Sequence, residues 1–451
     1  MKTNVLTMGA TSIVVGLNGA LQKQFVLPPS DSLIPGNVHR ASAVQTGLGG
    51  KGQDVAVTLS CLGYCAQSGD ENIQLAQFIG TDGAGETVYN MLVDTLDESA
   101  MGLTVRTKSG MRTCTSVVAA DATTELVEPS GEVEKGEIDQ LLERLDDTSK
   151  STTVNALCIM GSMPPGCPND LYAQIYQRVV GESTVCVIDS VNGVAPLLEV
   201  IAEFTSTKKA PSTIYKMNAS ELCKLAGVQK SNNEADGVSL EELEQGVIGF
   251  VETFPGAKAL EGLAITDGKH PAYFASFENR ADGSLEFSLY TIPAPKLKEG
   301  AILFPIGAGD SVAAGTMAAW RLLEGETTST VMSEDIVAAL SSHCANDDYE
   351  CTMESTKRII TSFAFGLACG SGSKYDAMPC HAILKYVDMM KLLLLAMSFQ
   401  YLFSQQQISL LLRHRLLGCM QEENSVLEKK DVLSLFSSMG RPSFLARKNV
   451  T

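Results

Sequence analysis

Three glycines and one aspartate surround the start of an apolar run in the stretch FPIGAGDSVAAG, residues 304–315. The residues that follow, 311–323, are rich in Ala, Leu and Met, and they predict a helix that begins near Gly307 and Gly309. A helix N-terminus offers unpaired backbone N–H groups and the positive end of the helix dipole, and glycine lets an anion approach closely. Asp310 beside such an anion site either caps the helix or takes a proton from an attacking nucleophile.

A second glycine cluster, TGLGGKGQDVAV, precedes another helix-like run near the N-terminus. Its spacing lacks the GxxxxGK[ST] pattern of a phosphate-binding P-loop. Gly49 and Gly50 instead indicate a place where the backbone approaches a polyol, with Asp54 at the head of the helix as an acceptor for hydroxyl groups. The alternative is a glycine turn that serves only the packing of helix against strand.

Apolar strand-like runs alternate with helical stretches along the chain, and these strands and helices position the residues above. Examples of the apolar runs are SIVVGL, NALCIMGS and STVCVIDS. Nearly continuous apolar strands in this alternation predict an α/β fold, with a parallel sheet covered by helices on both faces. Ligands bind such sheets at the carboxyl ends of the strands. Segments 20–44 and 104–128 interrupt the alternation and predict β-hairpins, either as a lid or as peripheral hairpins.

Composition excludes some classes of function. The 451 residues carry 34 Lys+Arg against 52 Asp+Glu, a formal charge of −18, which argues against a nonspecific binder of nucleic acid or anionic membranes. The twelve cysteines form no CxxC pair and predict reduced, buried thiols in an intracellular protein.

The run 389–403 is interrupted by Lys391 and predicts a core or partner-facing helix. A cytoplasmic location is expected, with organellar targeting as the alternative.

Four blocks in a fixed order, GLGGKGQDVAVTLSCLG, GSMPPG, KMNASEL and IGAGDSVAAG, resemble the signature blocks of the PfkB (ribokinase-like) carbohydrate kinases. NGAL, PGNVHR, GMRTC and EPSG are similar to blocks of the 1-phosphofructokinase and tagatose-6-phosphate kinase branch. The resemblance implies a ribokinase-like three-layer α/β/α sandwich with a mainly parallel sheet and a small β-hairpin lid. It assigns the kinase domain to 12–384, with an acidic insertion at 341–355, and leaves 385–451 as a helical C-terminal extension.

The resemblance also implies a reaction, the in-line transfer of a phosphoryl group from MgATP to a sugar hydroxyl. The acceptor that it favours is fructose 1-phosphate, which would become fructose 1,6-bisphosphate. Asp310 would be the general base. The anion hole would consist of the backbone amides of Gly307, Ala308 and Gly309. Such chemistry depends on positioning and on charge stabilisation, which suits a carboxylate beside a helix N-terminus. A homodimer through the lid is implied as well.

Asn218 and Glu221 match the NxxE motif of the family, which implies a place near Mg²⁺ and the phosphates of ATP. Their i, i+3 spacing puts both on one face of a helix, and oxygen ligands suit Mg²⁺. The alternative is a helix start with Asn218 as N-cap and Glu221 closing a capping box. Thr266 and Gly268, together with the stretch 362–370, would border the nucleotide.

Arg40 and Arg112 lie in the two predicted hairpins, at positions where the family binds the phosphate already present on the substrate. A guanidinium group suits phosphate oxygens. Ser162 of GSMPPG would donate a hydroxyl hydrogen bond. If both arginines are instead solvated surface charges, the protein is a kinase of an unphosphorylated sugar or nucleoside.

The sequence departs from the family pattern at several positions. Residues 18–22 read NGALQ where many relatives have NPALD, so that Asn18 is kept and the amide Gln22 replaces a carboxylate, and Asp54 stands where asparagine is common. Because amides and carboxylates both bind hydroxyl groups, kinase activity is expected to survive while the identity of the sugar stays open. Pro305 stands where threonine often precedes the anion loop. A degenerate kinase fold that only binds ligands is the remaining alternative, against which the intact Asp310 argues.

Overall fold

The structure is a computed structural model. The residues that it describes are 10–64, 71–207, 211–229, 237–280, 283–294, 307–325, 334–344, 353–373, 439 and 443–450.

The strands of this part of the chain, numbered in chain order, are β1 (Ala10–Val15), β2 (Ala20–Val26), β3 (Ala43–Gly49), β4 (Glu71–Gly80), β5 (Thr104–Thr107), β6 (Thr113–Val118), β7 (Thr123–Val127), β8 (Thr153–Met160), β9 (Val185–Asp189), β10 (Ser212–Asn218), β11 (Gly262–Thr266), β12 (Ala272–Asn279), β13 (Leu285–Ile292) and β14 (Ser443–Val450). The α-helices are α1 (Lys51–Cys61), α2 (Gly83–Leu96), α3 (Lys135–Ser151), α4 (Leu171–Val179), α5 (Val194–Thr207), α6 (Ala219–Leu225), α7 (Leu240–Thr253), α8 (Ala308–Leu323), α9 (Glu334–Cys344) and α10 (Glu354–Ser373).

Ten of the described strands form one sheet in the order β14-β13-β12-β11-β10-β9-β8-β1-β4-β5. The strands from β11 to β5 along this order run parallel. The strands β12, β13 and β14 run antiparallel at one edge. The central parallel strands are almost continuously apolar, as burial on both faces requires. The predicted α/β fold with a mainly parallel sheet is confirmed.

Helices cover both faces of this sheet because alternate side chains of each strand point to opposite sides. In β1, Ile13 and Val15 pack into a core that includes apolar side chains of α3 to α7. Val14, between them, packs into a second core with apolar side chains of α1, α2, α8 and α10. The result is a three-layer α/β/α sandwich with the sheet in the middle.

Small residues allow α8 and α10 to pack closely together. A Cβ atom on Gly366 would lie only 2.3 Å from Thr316 Oγ1 and 2.4 Å from Val312 O. The residues 362–370 are all buried. This stretch therefore packs closely against α8, and its place beside the nucleotide stays a prediction.

A second, four-stranded sheet has the order β3-β2-β6-β7. In it, β2 and β6 pair in parallel, and β3 and β7 pair antiparallel at its two edges. The predicted hairpin segments 20–44 and 104–128 supply most of its strands. β5, at the start of the second segment, instead joins the main sheet beside β4. The function of this small sheet as a lid, and the homodimer through it, stay predictions.

A C-terminal strand completes the antiparallel edge of the main sheet. β14 pairs with β13, and Arg447 Nε lies 3.0 Å from Glu286 Oε1. Lys448 Nζ lies 3.2 Å from Glu244 Oε2. These residues, which belong to the predicted helical extension 385–451, form a strand because the edge of β13 offers them backbone hydrogen bonds.

Several sequence predictions fall outside the described residues. These are the run 389–403, most of the remaining extension, Pro305, and residues 345–352 of the acidic insertion. Residues 341–344 of that insertion form the end of α9. Among the helices that the structure describes, none combines the length and apolarity needed to cross a membrane.

Two glycines set the distance between β1 and α1, which carry parts of the site. A Cβ atom on Gly52 would lie 2.2 Å from Gly16 Cα. Gly52→Ala is therefore expected to lower the free energy of unfolding by about 1–3 kcal/mol, the usual cost of overpacking. Urea unfolding of the variant and the wild type measures this difference.

Gly136 in α3 provides the control, since no described heavy atom lies within 4 Å of a Cβ atom built there. Gly136→Ala should raise the free energy of unfolding by about 0.4–1 kcal/mol because alanine restricts the unfolded chain. If Gly52→Ala behaved like this control, the close contact between Gly16 and Gly52 would be wrong.

Candidate active site

A cavity of about 360 Å³ lies between the carboxyl ends of the parallel strands and the small sheet. Ser162 and Ser190, which follow β8 and β9, line it on one side, and Gln22 and Cys114 of the small sheet line it on the other. Nine predicted site residues line this cavity: Asn18, Gln22, Gly49, Gly50, Asp54, Arg112, Ser162, Glu221 and Asp310. Residues from distant segments therefore meet at the carboxyl ends of the strands, where parallel sheets bind ligands.

The predicted anion-hole residues begin α8. Gly307 is the N-cap residue, and its φ of +77° lies in the left-handed region that favours glycine. Ala308 and Gly309 belong to the first turn, whose backbone N–H groups have no partner within the helix. Lys216 Nζ lies 3.5 Å from the position that a Cβ atom on Gly309 would take. Because Gly307 occupies the N-cap position, Asp310 does not cap the helix.

Asp189, at the end of β9, lies between two lysines. Its Oδ1 accepts a hydrogen bond from Lys51 Nζ at 2.5 Å, and its Oδ2 accepts one from Lys216 Nζ at 2.5 Å. The side chains of Asp189 and Lys216 are only 3% and 5% exposed. Burial alone would raise the pKa of Asp189, but the ammonium groups of Lys216 and Lys51 lower it below its ordinary value. Asp189 is therefore ionised at neutral pH.

Asp310 is buried in the cavity wall beside these charges. Burial is the main reason that the pKa of Asp310 is raised from 3.8 to about 7, and the negative charge of Asp189 adds to the effect. Lys51 and Lys216 act in the opposite direction. The cavity thus contains a carboxyl group that gains and loses its proton near neutral pH.

Asn218 and Glu221 form a capping box at the start of α6. Asn218 Oδ1 accepts a hydrogen bond from Glu221 N at 2.8 Å, and Glu221 Oε2 accepts one from Asn218 N at 2.8 Å. The other oxygen, Glu221 Oε1, lies 3.8 Å from Lys51 Nζ. No cluster of three or more His, Cys, Asp or Glu within the described residues is arranged to hold a metal ion. The side-chain oxygens of Asn218 and Glu221 fit a Mg²⁺ ion whose other ligands are water and phosphate oxygens.

A hydrogen-bonded group around Asn18 forms another part of the wall. Asn18 Nδ2 donates to Ser162 Oγ at 2.9 Å, and Ser130 Oγ donates to Asn18 Oδ1 at 2.8 Å. The guanidinium group of Arg112 donates to Asn18 O at 2.8 Å and to Gly19 O at 3.3 Å. These bonds hold Asn18 and Arg112 in place at the cavity before any ligand binds.

Seven predicted site residues are not among the described residues that line this cavity: Asn218, Gly307, Ala308, Gly309, Arg40, Thr266 and Gly268. The first four belong to the same helix starts as Glu221 and Asp310, which do line it. Arg40 is exposed in the connection between β2 and β3. Thr266 ends β11, opposite Asn218, and Gly268 follows it in an exposed turn. Of the two predicted phosphate-binding arginines, the structure brings only Arg112 into the cavity.

Lys51, Asp189 and Lys216 are charged residues of this site that the sequence analysis did not single out. Each had a detectable signal, because Lys51 lies inside the glycine cluster GGKG and the other two lie at the ends of apolar strands. Polar residues at the carboxyl ends of parallel strands are the positions where ligands bind. The NxxE motif selected Asn218, whereas position near a strand end would have indicated Asp189, and Lys216 two positions before the end of β10.

Known proteins with similar sequence or structure agree with this architecture. The family model described as "pfkB family carbohydrate kinase" matches residues 19–333. The structure of Escherichia coli phosphofructokinase-2 with fructose-6-phosphate is 18% identical, with a TM-score of 0.53 over 85% of this chain and 100% of that chain.

Two further structures are similar at lower identity. A possible 1-phosphofructokinase from Thermotoga maritima is 15% identical, with a TM-score of 0.53 over 97% of this chain and 100% of that one. A ribokinase from Giardia lamblia is 12% identical, with a TM-score of 0.54 over 82% of this chain and 96% of that one. At these identities the likeness shows the fold, and it confirms the ribokinase-like sandwich.

Lys216→Met is expected to lower the free energy of unfolding by about 3 kcal/mol, because it leaves a buried carboxylate with one partner fewer. This loss of unfolding free energy should lie at the low end of the range for buried ion pairs, since Asp189 keeps its ion pair with Lys51. Lys150, whose ion pair with Asp147 is solvent-exposed, provides the control. Lys150→Met should change stability by about 0.5 kcal/mol or less. Denaturant unfolding that shows equally small losses for both variants would contradict the buried ion pair.

Proposed function

This chain belongs to the pfkB family of carbohydrate kinases, and on that basis we propose that it transfers a phosphoryl group from ATP to a phosphorylated ketohexose. Membership of the family implies a sugar acceptor, ATP as donor and a divalent metal ion. The narrower proposal is a 1-phosphofructokinase, which converts fructose 1-phosphate to fructose 1,6-bisphosphate. It is supported by the blocks NGAL, GMRTC, EPSG and GSMPPG, and by Arg112 in the cavity.

The observation that carries the proposal is the position and pKa of Asp310. Its carboxyl group lines the cavity in the first turn of α8, and its pKa of about 7 suits a general base at neutral pH. In the proposed step the sugar hydroxyl oxygen bonds to the γ-phosphorus, its proton moves to Asp310, and the bond from the γ-phosphorus to the bridging oxygen breaks to release ADP.

Positive charge converges where this step would develop negative charge. The N-terminal amides of α8 and the ammonium groups of Lys51 and Lys216 lie on the side of the cavity that carries Asp310. Fixed donors and cations of this kind stabilise a transferring phosphoryl group. Glu221 Oε1 would hold the Mg²⁺ ion, directly or through water, and the bound ion would neutralise charge on the phosphates of ATP.

The remaining cavity residues suit a sugar phosphate. Asn18, Gln22 and Asp54 offer amide and carboxylate groups to hydroxyls, and the backbone at Gly49 and Gly50 allows a close approach. Arg112 would bind the phosphate that the substrate already carries.

A kinase of an unphosphorylated sugar is the second candidate. The exposed position of Arg40, outside the cavity wall, favours it, because a phosphate site built on two arginines would then have only Arg112.

Asp310→Asn is expected to lower kcat by about 10²- to 10⁴-fold, because an amide cannot accept the proton. In the wild type, kcat/KM should rise with pH and level off above the pKa of Asp310, about 7. Asp139→Asn, at an exposed position of α3, should leave kcat and the pH profile unchanged. The general-base role would be excluded if Asp310→Asn kept turnover within a few-fold of the wild type.

A coupled ADP-release assay with MgATP tests the substrate class on fructose 1-phosphate, fructose 6-phosphate, tagatose 6-phosphate, fructose and ribose. Turnover is expected on phosphorylated ketohexoses. Arg112→Met should raise KM for these esters about 10- to 100-fold through the loss of a charged hydrogen bond. Arg112→Lys should regain part of that loss, and Arg40→Met serves as the arginine control.

Each other outcome points to an alternative. Turnover restricted to fructose or ribose would favour the kinase of an unphosphorylated sugar. ADP formation with none of the five compounds would favour a binding protein built on the kinase fold.

A further inference from the structure

Two buried amide oxygens in the cavity wall have no hydrogen-bond partner among the described residues. Gln24, on β2, is 2% exposed, and Gln53, on α1, is 0% exposed. Both residues line the cavity. The Oε1 atom of each is buried and finds no partner in the part of the chain that the structure describes. Buried polar atoms in native proteins are nearly always paired, and a ligand that brings hydrogen-bond donors into the cavity would supply partners for these two acceptors.

The orientation of the Gln53 amide is determined by the groups behind it. Gln53 Nε2 donates to Gly16 O at 2.9 Å and to Gln77 Oε1 at 2.7 Å. Gln77 Nε2 in turn donates to Thr104 Oγ1 at 3.0 Å. Since Nε2 is engaged twice, Oε1 must point the other way, and it lies 2.4 Å from the position of a Cβ atom built on Gly50. Gly50 itself lines the cavity.

Gln24 lies across the cavity, on the small sheet. Its neighbour on the same face, Gln22, has a partner, because Gln22 Nε2 donates to Ser116 Oγ at 3.2 Å. Gln24 pairs in register with Ser116, and Ser116 pairs with Glu125, which also lines the cavity. This row of the sheet therefore offers acceptor oxygens and carries no positive charge.

We propose that Gln24 and Gln53 are specificity residues that accept hydrogen bonds from two different hydroxyl groups of the sugar. This inference rests on the proposed sugar kinase activity. A hydroxyl group can donate to an amide oxygen, whereas an ionised phosphate has no proton to donate. The two amides therefore direct the hydroxyl-bearing part of the sugar between the small sheet and α1. The phosphate ester of the sugar would instead bind to the cationic side chain of Arg112.

Gln24→Met separates this role from a structural one. Methionine has a similar size and removes the unpaired oxygen, so the melting temperature should stay unchanged or rise. KM for the accepted sugar should rise about fivefold to tenfold, the value of one neutral hydrogen bond, while kcat stays within about twofold.

Gln74→Met provides the matched control. Gln74 is a largely buried amide on β4 whose Nε2 donates to Ser99 O at 2.7 Å, away from the cavity. Its loss should lower the melting temperature and leave KM unchanged. The two variants are thus expected to show opposite patterns in stability and in KM.

Deoxy analogues of the accepted sugar identify the hydroxyl groups. In the wild type, the removal of either of two hydroxyls should raise KM. In Gln24→Met, removal of the hydroxyl that Gln24 binds should no longer raise KM, because the variant lacks the acceptor oxygen. Removal of the hydroxyl that Gln53 binds should still raise KM.

The outcomes distinguish this inference from the proposed function. No turnover of any sugar by the wild type would remove the proposed kinase activity and this inference with it. An active wild type combined with an unchanged KM in Gln24→Met would overturn this inference alone. So would a rise in KM in Gln24→Met with both deoxy effects still present.

Discussion

The charge balance around Asp189 is the interaction on which the rest of the site depends. One buried carboxylate at the end of β9 receives an ammonium group from α1 and another from β10. Without that carboxylate, Lys51 and Lys216 would repel each other where little water screens their charges. Asp189 therefore joins three elements from distant parts of the chain. It also keeps positive charge close to the first turn of α8, where an anion would bind.

The burial that strengthens these ion pairs also changes Asp310. Burial raises the pKa of this carboxyl group to about 7, while Lys51 and Lys216 restrain the rise. The folded protein then binds the proton more tightly than the unfolded chain, whose aspartate pKa is near 3.8. On account of this group alone, stability falls as pH rises from 3.8 to about 7. Asp310 thus lowers stability at the pH where, under the proposed function, it would act as a base.

The small sheet and the main sheet contribute different chemistry to the cavity. The face of the small sheet that lines the cavity carries mainly amide, thiol and aliphatic side chains from alternate positions: Gln22, Gln24, Cys114, Glu125 and Val127. The strand ends and helix starts of the main body carry Lys51, Asp189, Lys216 and Asp310. A ligand between the two would meet hydroxyl acceptors on one side and charged groups on the other. The period of two in β-strands produces this separation, because it keeps each set of side chains on one face.

The local elements and the type of sheet could be predicted from the sequence, because apolar periodicity and helix-start residues act over a few positions. The sequence also indicated the helix that starts after Gly307 and the strand ends that carry polar residues. Which side chains meet depends on how the chain folds in three dimensions. Lys51 and Asp189 are 138 positions apart, and they touch because the sheet brings β9 next to α1. Arg40 and Arg112 looked equivalent in sequence, yet only Arg112 is held at the cavity, by the carbonyl groups of residues 18 and 19. β14 likewise became a strand because the edge of β13 exists only once the sheet has formed.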